Sequence, residues 1–129
     1  MSSDRILDHC EQPFHRGHAP AATHAHEVSN PLCGDVVRLE LAIEEQDVVR
    51  EAYFTGTGCR VSQAAASMLV EHVEGLSIAD IKRFSARDML ALFGPPLTPL
   101  RQRCCLLAWQ ALQVALYSPL RQPSPSSSP

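Results

Sequence analysis

The sequence predicts an α+β fold, and three observations carry that expectation. A short stretch at helical spacing opens the chain. Two runs of alternating apolar residues, 36–43 and 48–54, follow and are separated by a polar turn. From residue 60 onward the periodic stretches all run at helical spacing. Helix, then strands, then several helices is an α+β order rather than strict βαβ alternation.

Each element has its own signal. Residues 4–11 read as a helix, with Ile6, Leu7 and Cys10 on one side and Pro13 ending it. Residues 14–29 carry Gly17, Pro20 and four histidines, and read as loop with a short edge strand at 24–28. Asn30-Pro31 signals a turn, and Gly34 punctuates it again. In 36–43, Val37, Leu39, Leu41 and Ile43 alternate with Val36, Arg38, Glu40 and Ala42, the pattern of a half-buried strand. In 48–54, Val48, Arg50, Ala52 and Phe54 share one face, with Val49, Glu51 and Tyr53 on the other. The polar turn at 44–47 makes the pair an antiparallel hairpin.

Residues 60–73 form the next helix, with Val61, Ala64, Ala65, Met68, Leu69 and His72 on one face and Gly75 as its C-terminal cap. Ser77 with Asp80, then Ser85 with Asp88, repeat a capping-box spacing before two short helices that end near Phe84 and Phe93. Gly94-Pro95-Pro96 stops the second. Pro99 suits the first turn of a last helix reaching about Tyr117. That helix is apolar on most sides and should be buried. Residues 119–129 are a Pro/Ser tail expected to be disordered, so 1–118 is the expected domain.

Composition narrows the function. A chain of 129 residues that is 45% hydrophobic can build one domain with a real core. Its formal charge of -3 argues against nucleic-acid binding. No apolar run approaches the roughly 20 residues that span a bilayer, and residues 1–10 lack an apolar signal core. The expectation is a cytoplasmic protein with no membrane partner. Five cysteines and six histidines in so short a chain need a reason. In a reducing compartment an odd cysteine count points to metal ligands or reactive thiols rather than disulfides. Buried, inert cysteine is the plainer alternative.

Cys33, Cys59 and Cys104 all fall near the ends of elements, where a rigid scaffold presents ligands. Cys33 and Asp35 lie two apart, on one face of an extended segment. The hairpin returns the chain towards them and delivers Cys59 at the start of a helix, at the positive end of its dipole. Gly34, Gly56 and Gly58 allow close backbone approach. Three thiolates and a carboxylate make a tetrahedral Zn²⁺ site. They could equally hold an iron–sulfur cluster, with the oxygen ligand the weaker one on iron. The gaps between the three cysteines match no compact zinc finger.

Four blocks then resemble one family. Asn30 to Asp35, NPLCGD, resembles the NPxCGD signature of iron–sulfur cluster assembly scaffolds, the IscU, SufU and NifU N-terminal family. Gly58-Cys59-Arg60-Val61-Ser62, with Ala64 to Ser67, resembles its GCxxSxASxS helix start. Cys104 to Leu112, CCLLAWQAL, resembles its third cysteine block in the SufU-type form. Ile6-Leu7-Asp8-His9 with Pro13, Arg16 and Gly17 resembles its N-terminal segment. Together they cover about residues 4–118. The resemblance implies a small antiparallel sheet of about three strands packed by helices on one side, as in SufE/NifU-like folds.

It also implies that Cys33, Asp35, Cys59 and Cys104 form one site. That site would accept persulfide sulfur from a cysteine desulfurase, build a transient [2Fe–2S] cluster and pass it to acceptor proteins. Zn²⁺ is the implied alternative occupant of the same four ligands. Such a protein is a scaffold or carrier more than a true enzyme. The alternative function is a zinc-dependent sulfurtransferase that stimulates a desulfurase. A third is a descendant that only binds partners. Arg103 stands where IscU-type members have histidine, and Gly94 to Leu100 reads GPPLTPL in place of their LPPVK motif. The chain reads as SufU-like in sequence with an IscU-like spacing between Cys59 and Cys104.

The remaining candidates have plainer readings. Cys10 and Cys105 are expected to pack in helices, and Met68 and Met89 in the core. His15, His18, His24 and His26 match no ligand position of the family and are expected in a solvated loop. His72 is expected at the helix surface or as a satisfied core residue.

Overall fold

The computed structural model describes residues 2–32 and 34–120. Cys33 and residues 121–129 lie outside them, and with them most of the expected tail. The elements run α1 (Ser2–Glu11), β1 (His24–Asn30), β2 (Asp35–Ile43), β3 (Val49–Thr57), α2 (Arg60–Val73), α3 (Ile78–Arg83), α4 (Ala86–Phe93) and α5 (Pro99–Ala115). The expected α+β order is the observed one.

The sheet is antiparallel, in the order β1-β2-β3. Period-two patterning sets its register, because a one-residue slip would turn the apolar set of β2 outward. Val37, Leu39 and Leu41 pair with Gly56, Phe54 and Ala52 of β3, and their side chains are fully buried with Ala52 and Phe54. Helices α2 and α5 contribute most of the rest of that core, including Met68, Leu69, Ala108 and Leu112, and α3 and α4 add Ile81, Met89 and Phe93. Burying each large apolar side chain contributes about 1.5–3 kcal/mol, so this face holds the helices to the sheet.

Alternation in β3 fails at one place. Val49 is buried with Ala52 and Phe54 while Arg50 is exposed, where the sequence pattern put Val48 and Arg50 on the face of Ala52 and Phe54 and Val49 on the other. The ladder shifts register between Ala42 and Ile43, so one residue of β3 is skipped there. The amide of Val49 bonds the Leu76 carbonyl, and that of Gly75 bonds the Val49 carbonyl. The strand therefore turns its end towards the loop after α2.

Helix α2 has the expected boundaries but not the expected single face. Residues 64–70 are all buried, because α1, α5 and the sheet surround this helix. Small residues at Ala64, Ala65 and Ala66 allow that close packing. Val73 is inside and His72 is exposed, its ring 5.0 Å from that of Phe84.

Segment 14–29 is more ordered than a solvated loop. Phe54 accepts from the Gly17 amide and donates to the His15 carbonyl, which covers the outer edge of β3. His15 stacks on Tyr53 with ring centroids 4.2 Å apart, and its Nδ1 lies 2.7 Å from Glu74. His18 Nδ1 lies 2.7 Å from Glu40 while its ring stays exposed. His24 and His26 belong to β1, which is longer than the edge strand expected. The β1 edge is partly covered in turn: Ala25 donates to the Ser118 carbonyl and Leu120 to that of Thr23. Pro119 and Leu120, assigned to the tail on composition, thus sit beside the sheet.

Candidate metal centre

The site grows from the turn between β1 and β2. Asn30 pairs with Asp35 across the ladder and closes that turn. Its carbonyl accepts the Gly34 amide at 2.8 Å, and its side-chain oxygen accepts the Leu32 amide at 3.1 Å. Gly34 takes φ 73°, open to glycine at little strain. Asn30 thus ties Leu32 and Gly34 to itself just before β2 starts on Asp35.

Asp35 is buried, at 1% exposure. Its Oδ1 accepts the Cys59 backbone N–H at 2.8 Å, and its Oδ2 accepts the Cys59 thiol at 3.2 Å. Cys59 occupies the N-cap of α2 without capping it with its own side chain. The Asp35 carboxylate thus takes an amide at a helix start, where negative charge is favoured. Gly58 makes the approach possible. A Cβ there would come within 2.0 Å of Asp35 Oδ1, and φ is 132°. No side chain fits.

Cys104 arrives from the other side, in the second turn of α5, and is buried at 4% exposure. Two devices fix that helix. Thr98 caps it and Pro99 opens it. Trp109 Nε1 and Gln113 Nε2 both donate to the Phe84 carbonyl between α3 and α4, at 2.8 and 3.2 Å. The ligand atoms of Asp35, Cys59 and Cys104 all lie within 4.8 Å of one another. Two sulfurs on one tetrahedral zinc, each at about 2.3 Å from it, stand about 3.8 Å apart. The three groups therefore need only a small closing movement to share an ion, and two soft donors with one hard donor suit zinc or iron.

Among the described residues, no other histidine, cysteine or carboxylate group clusters in this way. Three of the four expected site residues are thus brought together, and Cys33 lies outside the described residues. Cys105, next to Cys104, faces the core at 0% exposure, and burial pushes its thiol up to about 12. It is a packing residue. Cys10 is half-buried against α2, its sulfur 3.9 Å from the Arg60 carbonyl.

Two arginines escaped the sequence reading. Arg60 and Arg101 line a cleft of about 370 Å³ with Cys59, Cys104, Val61 and Leu100. The available signal was spacing. Arg60 follows Cys59, and Arg101 precedes Cys104 by three residues, one helical turn.

Known proteins resemble this chain in sequence and in fold. An iron–sulfur cluster assembly scaffold protein IscU of Streptococcus pyogenes is 32% identical over 130 residues, covering 86% of this chain and 79% of the relative. A zinc-dependent sulfurtransferase SufU of Bacillus subtilis is 32% identical over 125 residues, covering 84% of each. A crystal structure of a scaffold protein for the SUF system from Fervidobacterium islandicum superposes with a TM-score of 0.75 at 23% identity, covering 88% of this chain and 94% of that one. The family model for the NifU-like N terminal domain matches residues 1–123. Matched from end to end of its sheet and helices, with the thiols and carboxylate at its centre, the chain belongs to the NifU-like N terminal domain family.

Proposed function

We propose that this protein is a scaffold for iron–sulfur cluster assembly, with residues 1–118 as its working domain. Its site is Cys33, Asp35, Cys59 and Cys104. A thiolate of the site attacks the outer sulfur of a cysteine desulfurase persulfide, and the desulfurase thiolate leaves. Two electrons from an external thiol or electron-transfer reductant then break each captured S–S bond, releasing sulfide and restoring the site thiolate; that sulfide and iron make a [2Fe–2S] cluster, which is cargo and passes to an acceptor protein. The observation that carries the reading is the convergence of Asp35, Cys59 and Cys104 in a member of this family.

The chain's own residues suit a transient cargo. Cys59 is exposed on the rim, where a partner's persulfide can reach it, while Asp35 and Cys104 are buried behind it. An oxygen donor holds iron less tightly than a thiolate does, so Asp35 is the ligand that yields on transfer. Anaerobic reconstitution with iron, cysteine, a thiol reductant and a desulfurase tests the reading. A visible cluster chromophore that moves to an apo-ferredoxin is expected. A protein that never develops one under any loading condition is not a scaffold.

A second reading follows from the likeness to the Bacillus subtilis sulfurtransferase. Here Zn²⁺ held by the same residues organises the thiolates until one is released to take the persulfide. Stoichiometric zinc in the purified protein, with desulfurase stimulation lost in Cys33→Ala, favours this reading over the first.

A further inference from the structure

A groove of about 460 Å³ runs from α1 across the start of α2 to the loop between α4 and α5. Its walls are largely apolar: Ile6 and Leu7 on one side, Phe93, Pro95, Pro96 and Leu97 on the other. Arg60, Val61 and Arg101 line both this groove and the cleft that holds Cys59 and Cys104, so the two form one trough ending at the thiols. Leu7 and Leu100 stand on its rim at 44% and 53% exposure. Both extend the apolar wall of the trough to its rim.

Charge selects the occupant. Among the residues that line the groove the charged ones are Arg60 and Arg101, and none is a carboxylate. Both are exposed, and neither forms an ion pair among the described residues. A chain of net charge -3 thus presents a cationic, apolar trough at its reactive end. Guanidinium groups bind carboxylates bidentately and are enriched at interfaces. The Pro95-Pro96 wall has no N–H to offer, so an added β-strand is not the mode of binding. Recognition falls to side chains.

We infer that this trough docks a short acidic and apolar segment of a protein partner, its apolar side chains against Leu7, Pro96 and Leu97 and its carboxylates on Arg60 and Arg101. The segment would lie with one end at Cys59. This inference stands on the groove alone and does not require the thiols to hold a metal.

The test is a ¹⁵N-detected shift titration of the full-length chain with a capped nonapeptide of alternating leucine and glutamate. The same peptide with lysine for glutamate, and decanoate, serve as controls. The expected result is saturable shifts at Leu7, Cys10, Val61, Leu97 and Arg101, at least tenfold tighter for the glutamate peptide and weakened by salt. Arg60→Gln with Arg101→Gln should lower that affinity at least tenfold while leaving the far-UV spectrum unchanged. Leu7→Ser should lower it independently. The inference is overturned if the peptide does not bind, if the lysine peptide or decanoate binds as tightly, or if the shifts map elsewhere. Because binding is read without iron, zinc or desulfurase, its failure is separate from failure of the scaffold reading.

Discussion

Gly58 shows how tightly the site is built at the level of single atoms. Its missing side chain is what lets the Asp35 carboxylate reach the Cys59 amide, since any Cβ would overlap Asp35 Oδ1. Gly58→Ala should push Asp35 away from Cys59 without touching the core. The expected outcome is at least a tenfold loss of zinc affinity with the same secondary structure, measured by competition with a chromophoric chelator; affinity at the wild-type level would show that Asp35 is not held through this contact. Asp35→Ala removes the oxygen ligand itself. On the scaffold reading it removes the ligand that yields and should slow transfer to an apo-ferredoxin severalfold, read as the rise of ferredoxin absorbance. An unchanged rate would remove Asp35 from that role. Both cysteines and the aspartate were legible in the sequence, because element ends and the NPLCGD turn identify them. The flanking arginines were not, because only folding brings the first turn of α2 against the first turns of α5.

At the scale of elements, caps and turns were the most legible features, since they depend on residues within four positions of one another. The Ser77 cap and the full Ser85–Asp88 capping box form as their spacing predicts, and Gly94 ends α4 with φ 113°. Ser85→Ala should therefore destabilise the protein by about 1 kcal/mol. Urea unfolding measures this, with an unchanged m-value if only the cap is lost. What local pattern could not carry was set by partners far along the chain. The register shift in the β2–β3 ladder answers to the Val49–Leu76 and Gly75–Val49 bonds, and the burial of α2 on most sides answers to α1. Trp109 belongs to the same class. It read as part of a motif, and the structure makes it the peg that ties α5 to the Phe84 carbonyl. Trp109→Phe keeps the ring in place and removes that bond. It should cost about 1 kcal/mol and loosen the position of Cys104, five residues away. A variant of wild-type stability would mean that Gln113 alone suffices as the anchor.

For the molecule as a whole, the response to acid follows from two groups far from the thiols. Burial pushes the Glu40 carboxyl up, but hydrogen bonds from His18, Arg38 and the Ala19 amide, with the His18 charge, outweigh it and leave it below the usual 4.5. A carboxyl lower in the folded than in the unfolded chain contributes stability that is complete above the unfolded value. That contribution is lost as pH falls through the folded one. His24 works from the other side: burial lowers it below 6.5, so the unfolded chain binds the proton more readily and stability begins to fall as pH drops past that value. The two effects have the same sign in different windows. Thermal melts from pH 8 to 3 should show a shallow loss beginning near 6.5 and a steeper one below 4.5. Glu40 joins β2 to the 14–23 segment, so Glu40→Gln should lower stability at neutral pH by about 1–3 kcal/mol and flatten the lower window. His24→Gln should flatten only the upper one. If Glu40→Gln left the slope below pH 4.5 intact, other carboxylates would govern acid unfolding. If it flattened that slope as expected, the segment that covers the back of the sheet would be held by charge rather than by apolar burial.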